Sequence, residues 1–386
     1  MLLCVIYMAF ISLGLPDSLL GAAWPAMRAD LGAPIELAGA LAMICSGGTI
    51  LSSLMSTRLI RRFGTGRVTL FSVALTAVAL VGYALAPAPW VLLLCAIPLG
   101  LGAGGVDTAL NNYVSLHYAA KHMSWLHCFW GVGATTGPLI LSACMAAHQG
   151  WRTGYFIIIG IQAMLVVILA VSLPLWRKRT REDTSAPDVE SAPIMTNAQA
   201  LRLPGIKAVI ATFFCYCAVE SSTSLWTASY MTELRGCTSD QAALAASLFF
   251  MGITVGRGFN GFLAIRYNTK TLIRVGCTVM LFSALLMLLA PSWQVCCTAA
   301  ALFGLGCAPI YPSIIHETPE RFGAAASQAA TALQMATAYL GSTFMPPLFG
   351  LISGQVGLQL FPWWMLLLTS AMIVFRGICN RREQRT

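Results

Sequence analysis

Long apolar runs follow one another along the chain, each ended by a short cluster of charge, Pro, Gly or Asn. A helix needs about 20 mostly apolar residues to cross a bilayer. Runs of that size stand near 3–25, 36–56, 68–87, 90–112, 124–148, 154–176, 207–231, 241–263, 271–290, 293–314, 324–350 and 358–377. They predict an all-α polytopic membrane protein with twelve transmembrane helices, because a spanning segment must satisfy its own backbone N–H and C=O groups. The first run reads as a span rather than a signal peptide: it lacks a basic leading region, is too long, and holds Asp17. The chain opens almost inside this run, so a short natural tail ahead of it is expected.

Composition supports that pattern. Of 386 residues, 58% are hydrophobic and 10% charged, against about a quarter charged in soluble domains. Too few polar side chains exist to cover a fold in water, which argues against disorder, nucleic-acid binding and a secreted scaffold. The thirteen cysteines include no Cys-x-x-Cys pair, so neither a zinc site nor a redox pair is expected, and no cofactor is implied.

The formal charge of +9 is accounted for by topology. With both termini in the cytoplasm, nineteen Lys and Arg fall in inside loops and the tail, against Arg28, Arg152 and Arg235 outside. Such a bias sets orientation under the positive-inside rule. Short loops and the absence of an Asn-x-Ser/Thr sequon fit a bacterial inner membrane. The remaining Arg257 lies inside a span and is expected to snorkel toward the cytoplasmic end.

The polar stretch 177–206 reads as a cytoplasmic linker, rich in charge, Pro, Ser and Thr. It separates two six-helix bundles, 1–176 and 207–386. The halves repeat at an offset of 204: Gly48 falls on Gly252, Leu59 on Leu263, Arg62 on Arg266, Thr65 on Thr269, Gly100-Leu101-Gly102 on Gly304-Leu305-Gly306, and Gly137 on Gly341. Two such repeats describe a transporter whose halves rock about a central site.

On these residues the chain resembles the major facilitator superfamily. The family's signature between spans two and three, Gly-x-Leu-Ala-Asp-Arg-x-Gly-Arg-Arg, is partly kept: Leu59, Arg62 and Gly64 match, whereas Thr57 replaces the first glycine and Arg61 the aspartate. The family's usual gating carboxylate is therefore missing.

Three acidic residues lie well inside spans: Asp17, Asp107 and Glu220. A charge at mid-membrane costs about 2.5–3.5 kcal/mol on insertion scales, so each is expected to face a cavity or a partner. Burial disfavours the charged form of a carboxyl, and a carboxyl that alternates between forms can carry a proton beside a substrate. Asp107 and Asn111 share a helical face. The run Val106-Asp107-Thr108-Ala109-Leu110-Asn111 is similar to the fucose permease branch, with Glu-Thr-Ala-x-Asn in span four and a further acid in span one, which Asp17 matches. In span five that branch has sugar-binding Gln and Asn where His127 and Trp130 stand, so fucose itself is not implied. Gly133-x-x-x-Gly137-Pro138 resembles an antiporter pattern, and close helix packing explains it equally well.

In the second half Glu220, Ser224 and Thr227 form a polar stripe beside Trp226, and span eleven offers Gln328, Thr331, Gln334 and Tyr339. Uncharged hydrogen-bonding groups suit a polyol better than an organic ion. The expected function is a secondary transporter, a proton-coupled symporter taking up a sugar-like solute, acting as a monomer in the lipid bilayer. The proton-coupling candidates are Asp17, Asp107 and Glu220. The substrate-binding candidates are Asn111, His127, Trp130, Trp226, Gln328 and Tyr339. The alternatives are a proton-driven exporter or a nontransporting sensor on the same fold. A membrane enzyme is not expected, since His-Glu-x-x-His and Gly-x-Ser-x-Gly are absent. No phosphate-binding Gly-x-x-x-x-Gly-Lys-Ser/Thr loop occurs either, so ATP is not the expected driving force.

Overall fold

A computed structural model describes residues 2–118, 120–180 and 197–383. Among them the fold is all α. The first half holds α1 (Leu2–Asp17), α2 (Leu19–Leu31), α3 (Leu37–Phe63), α4 (Thr65–Leu85), α5 (Pro89–His117), α6 (Ala120–Ala146) and α7 (Gly150–Thr180). The second half follows with the short α8 (Asn197–Ala200), α9 (Ile206–Arg235), α10 (Ser239–Arg266), α11 (Thr269–Leu289), α12 (Trp293–Cys307), α13 (Ile310–Phe322), α14 (Ala324–Val356) and α15 (Phe361–Glu383). Of the stretch expected as a linker, residues 181–196 lie outside the described residues.

Eleven stretches among the described residues are long and apolar enough to cross a membrane, which makes the chain an integral multi-pass membrane protein. The expected span at 324–350 is a continuous helix, α14, yet it is not one of the eleven. Thr331, Gln334, Thr337, Ser342 and Thr343 dilute its apolar surface. Two spans are interrupted. The first is α1 and α2, broken at Ser18 directly after Asp17; the tenth is α12 and α13, broken at Ala308–Pro309. Pro309, which cannot supply the N–H that a continuing helix uses, stands at the second break.

The chain divides into two compact units: Met1–Pro187 with Cys237–Ser247, and Asp188–Gly236 with Leu248–Thr386. Glycine determines how closely helices approach within each. In the first unit a Cβ on Gly100 would strike the Cys45 carbonyl, and one on Gly102 would strike Ser72 and Thr76. In the second unit a Cβ on Gly304 would strike the Phe249 carbonyl, and one on Gly306 would strike Gly276 and Met280. Every one of these pairs maps onto its counterpart at the offset of 204. The repeat in the sequence is therefore a repeat of helix crossings, α3 on α5 on α4 in one unit and α10 on α12 on α11 in the other.

Candidate functional site

The first unit assembles its polar centre at the α1–α6 crossing. Gly14 presses on the Trp130 carbonyl and Ala134, while Gly133 presses on the Ile11 carbonyl and Leu15. Gly137 packs on Leu15 and Ser18. The glycines of the Gly-x-x-x-Gly-Pro stretch are thus spent on close packing. This approach brings the Trp130 indole N–H to 2.9 Å from an Asp17 carboxylate oxygen, to which it donates. Asp17 is exposed although it lies within the first span. The break at Ser18 suits this position, with the Ser18 hydroxyl turned back onto the Leu15 carbonyl at 3.3 Å.

Asp107 lies close enough to Asp17 for their charges to interact. It accepts a hydrogen bond from the Asn111 side chain at 2.8 Å, one turn along α5. The expected shared face is therefore an actual contact, and both residues are half-buried. His127 lies one turn before Trp130 on α6, half-buried, its ring edge-on to Phe10 at 5.9 Å. The structure thus joins Asp17 to Trp130 and Asp107 to Asn111. Trp130 serves as a hydrogen-bond donor to Asp17 in addition to any face it offers.

The second unit has a different electrostatic character. Glu220 on α9 pairs with Arg257 on α10 at 3.7 Å, with side chains 19% and 17% exposed. Arg257 therefore does not snorkel away; it reaches another charge inside the membrane. Span eleven offers less than its sequence suggested. Gln334 is buried and bonded to the Thr318 hydroxyl at 3.0 Å. Tyr339 is 38% exposed. The side chain of Gln328 lies outside the described residues. Trp226 is 0% exposed, and its N–H donates to the Pro346 carbonyl at 2.9 Å, so it packs in the core rather than facing a path.

Sequence reasoning also passed over Glu317. It is not one of the three acids that the hydropathy pattern puts well inside spans, and Arg321 and Arg376 are two of the nineteen inside charges. In the fold Glu317 is buried and paired with Arg321 at 2.6 Å and Arg376 at 2.5 Å. The spacing of Glu317 and Arg321, four residues apart on one helix, was the available signal.

Comparison with known proteins decides the family. The Major Facilitator Superfamily model matches residues 6–239 and 208–383. The chain belongs to this superfamily. Members are transporters, so the chain is not an enzyme. A glucose/mannose transporter of Bacillus subtilis is 23% identical over 69% of this chain and 66% of its own length. A yeast protein, bypass of stop codon protein 6 of Saccharomyces cerevisiae, is 28% identical over 57% of this chain and 48% of its own. The matches thus span about half to two thirds of these relatives. Among solved structures, the E. coli fucose:proton symporter superposes with a TM-score of 0.61, covering 98% of both chains at 15% identity, a likeness of fold.

Proposed function

We propose that this superfamily member is a proton-coupled importer of a hexose-like sugar, working by alternating access. The observation that carries the reading is the pair of carboxyls inside membrane spans of one unit, each bonded to an uncharged donor: Asp17 to Trp130 and Asp107 to Asn111. A carboxyl held by a neutral partner can lose or gain a proton without stranding a buried counter-charge. A change of protonation then biases the equilibrium between outward- and inward-open states, because it changes the cost of closing around the site. Asn111 and His127 supply hydrogen bonds suited to sugar hydroxyls, and the half-buried Trp130 offers a ring face.

The sugar class is supported by the Bacillus relative, named for glucose and mannose, and by the E. coli structure, named for fucose and protons. The Lys and Arg bias supports both termini lying in the cytoplasm, and the short loops and absence of an Asn-x-Ser/Thr sequon support a bacterial inner membrane. Each chain carries its own path and functions as a monomer.

The test follows external pH in lightly buffered right-side-out vesicles pulsed with glucose, mannose or fucose. Alkalinisation with one sugar, lost on adding a protonophore, is the expected result. Asp107→Asn should abolish both the pH change and gradient-driven accumulation while retaining exchange of labelled for unlabelled sugar. A flat trace in a preparation that still exchanges sugar would rule out coupling.

A further inference from the structure

We propose that Glu220 and Arg257 form a fixed ion pair that recognises the substrate's hydroxyl groups, and that Glu220 takes no part in carrying the proton. The inference rests on the sugar-transport reading above.

Glu220 is fourteen residues into α9 and fifteen from its end, so it stands at mid-span. Arg257 is nine residues from the end of α10, roughly 14 Å along the axis, and its long side chain spans the remaining distance. The pair is the meeting point of three further features. Tyr216, one turn before Glu220, donates its hydroxyl to the Cys307 carbonyl at 3.2 Å. Cys307 is the last residue of α12, at the interruption of span ten. Tyr311, just beyond that interruption, has its ring 6.4 Å from the Tyr216 ring, and both tyrosines lie within electrostatic reach of Arg257. One charge pair, two phenol rings and a broken helix are thus gathered within a single unit.

This geometry suits recognition better than proton carriage. At 3.7 Å the contact is loose, not a close bidentate fork. A sugar hydroxyl can enter it, accepting from the guanidinium and donating to the carboxylate, without disturbing the balance of charge. Adjacent hydroxyls on a pyranose present such a donor and acceptor together, and the half-buried Tyr311 ring offers an apolar face for the ring carbons, whereas Tyr216 is fully buried and backs the pair. Protonating Glu220, by contrast, would remove the carboxylate charge that Arg257 faces inside a span, which is costly. Asp17 and Asp107 have neutral donors and avoid that penalty. Proton carriage therefore falls to Asp17 and Asp107, and the Glu220–Arg257 pair adds hydroxyl recognition to that supplied by Asn111 and His127.

The experiment uses the full chain in proteoliposomes with labelled glucose, mannose and fucose. Counterflow at equal pH on both sides reads sugar affinity without net proton movement; accumulation under a pH gradient reads coupling. Glu220→Gln and Arg257→Gln should each raise the half-saturating sugar concentration in counterflow at least tenfold. At saturating sugar, the protons moved per sugar should match the wild type. Glu220→Gln with wild-type counterflow affinity but no accumulation would make Glu220 the proton carrier and overturn the proposal. Because each single variant removes one charge of the pair and keeps the other, the double variant Glu220→Gln/Arg257→Gln is measured beside them. It should be produced at wild-type abundance and still bind weakly; wild-type affinity in it would also overturn the proposal. A wild type that exchanges sugar but moves no protons removes the coupling reading, and the affinity comparison still decides the pair's role. A wild type that exchanges none of the three sugars removes the reading on which the inference rests, and the inference with it.

Discussion

Trp130 marks the difference between what a side chain type suggests and what its neighbours make of it. As a residue type it suggests a platform for a sugar ring; in the fold its N–H also donates to Asp17. A hydrogen bond to a charged group contributes about 1.5–3 kcal/mol. Trp130→Phe keeps an aromatic face and removes only the donor, so uptake driven by a pH gradient should fall at least tenfold at normal abundance. Unchanged uptake would assign Trp130 to stacking alone. The carboxyls themselves were legible in the sequence because a charge inside an apolar run has few explanations. Their partners were legible only where they lie on the same helix, as Asn111 does one turn from Asp107. The Glu220–Arg257 pair joins two helices, and a single arginine nine residues from a span end reads as a snorkelling side chain. The burial of Trp226 was hidden for a similar reason: its acceptor, the Pro346 carbonyl, comes from α14. Glu317 yields a stability prediction at the same scale. Its carboxylate faces Arg321 and Arg376, all three side chains almost fully buried. Removing one member of a buried charge network costs about 3–5 kcal/mol. Glu317→Ala should therefore clearly lower the melting temperature in detergent, measured by light scattering or size exclusion after heating. A melting temperature equal to the wild type would show that water or lipid headgroups solvate the two arginines.

At the scale of elements, the repeat gives the strongest link between chain and fold. Glycine matches at an offset of 204 recur as close helix contacts at the same offset, Gly100 on Cys45 and Gly304 on Phe249. In lipid, helices associate through such packing because no hydrophobic driving force distinguishes a neighbour from an acyl chain. Gly100→Val and Gly304→Val should therefore destabilise by similar amounts, each lowering the detergent melting temperature by several degrees. A large effect at one site and none at its counterpart would mean that the two crossings are not energetically equivalent. Most span positions were readable to within a few residues, since hydrophobicity sets where a helix can sit, but the first and tenth run on to Leu31 and Phe322, six and eight residues past the expected ends. The interruptions at Ser18 and Ala308–Pro309 were not readable. Proline occurs near both, but Pro25, Pro98 and Pro138 lie inside continuous helices of the same fold. Whether a helix breaks depends on what neighbouring helices offer its freed backbone groups, and a linear pattern does not contain that information.

For the whole molecule, one element decides the topology. Six crossings between the linker and the C-terminal tail give the nineteen-to-three distribution of Lys and Arg, whereas five would move the four tail arginines, Arg376, Arg381, Arg382 and Arg385, to the outside count. Five stretches from α9 onward are apolar enough by composition. The candidate for a sixth crossing is α14, whose 33 residues extend about 50 Å at 1.5 Å per residue, ample for a hydrocarbon core of about 30 Å. Its Thr, Ser and Gln residues make it a poor lipid-facing helix but a suitable one for packing among other helices. Buried Gln334, Ala338 and Thr343 and the close packing of Gly341 against Phe214 fit that use. Reporters test the count directly. Green fluorescent protein, which matures in the cytoplasm but not after export through the general secretory route, should fluoresce both when inserted in the linker after Ser191 and when fused after Thr386. Alkaline phosphatase should be inactive at both positions. Opposite signals at the two positions would give an odd number of crossings, remove α14 from the membrane-spanning set, and leave its polar residues facing water instead of lining a buried path.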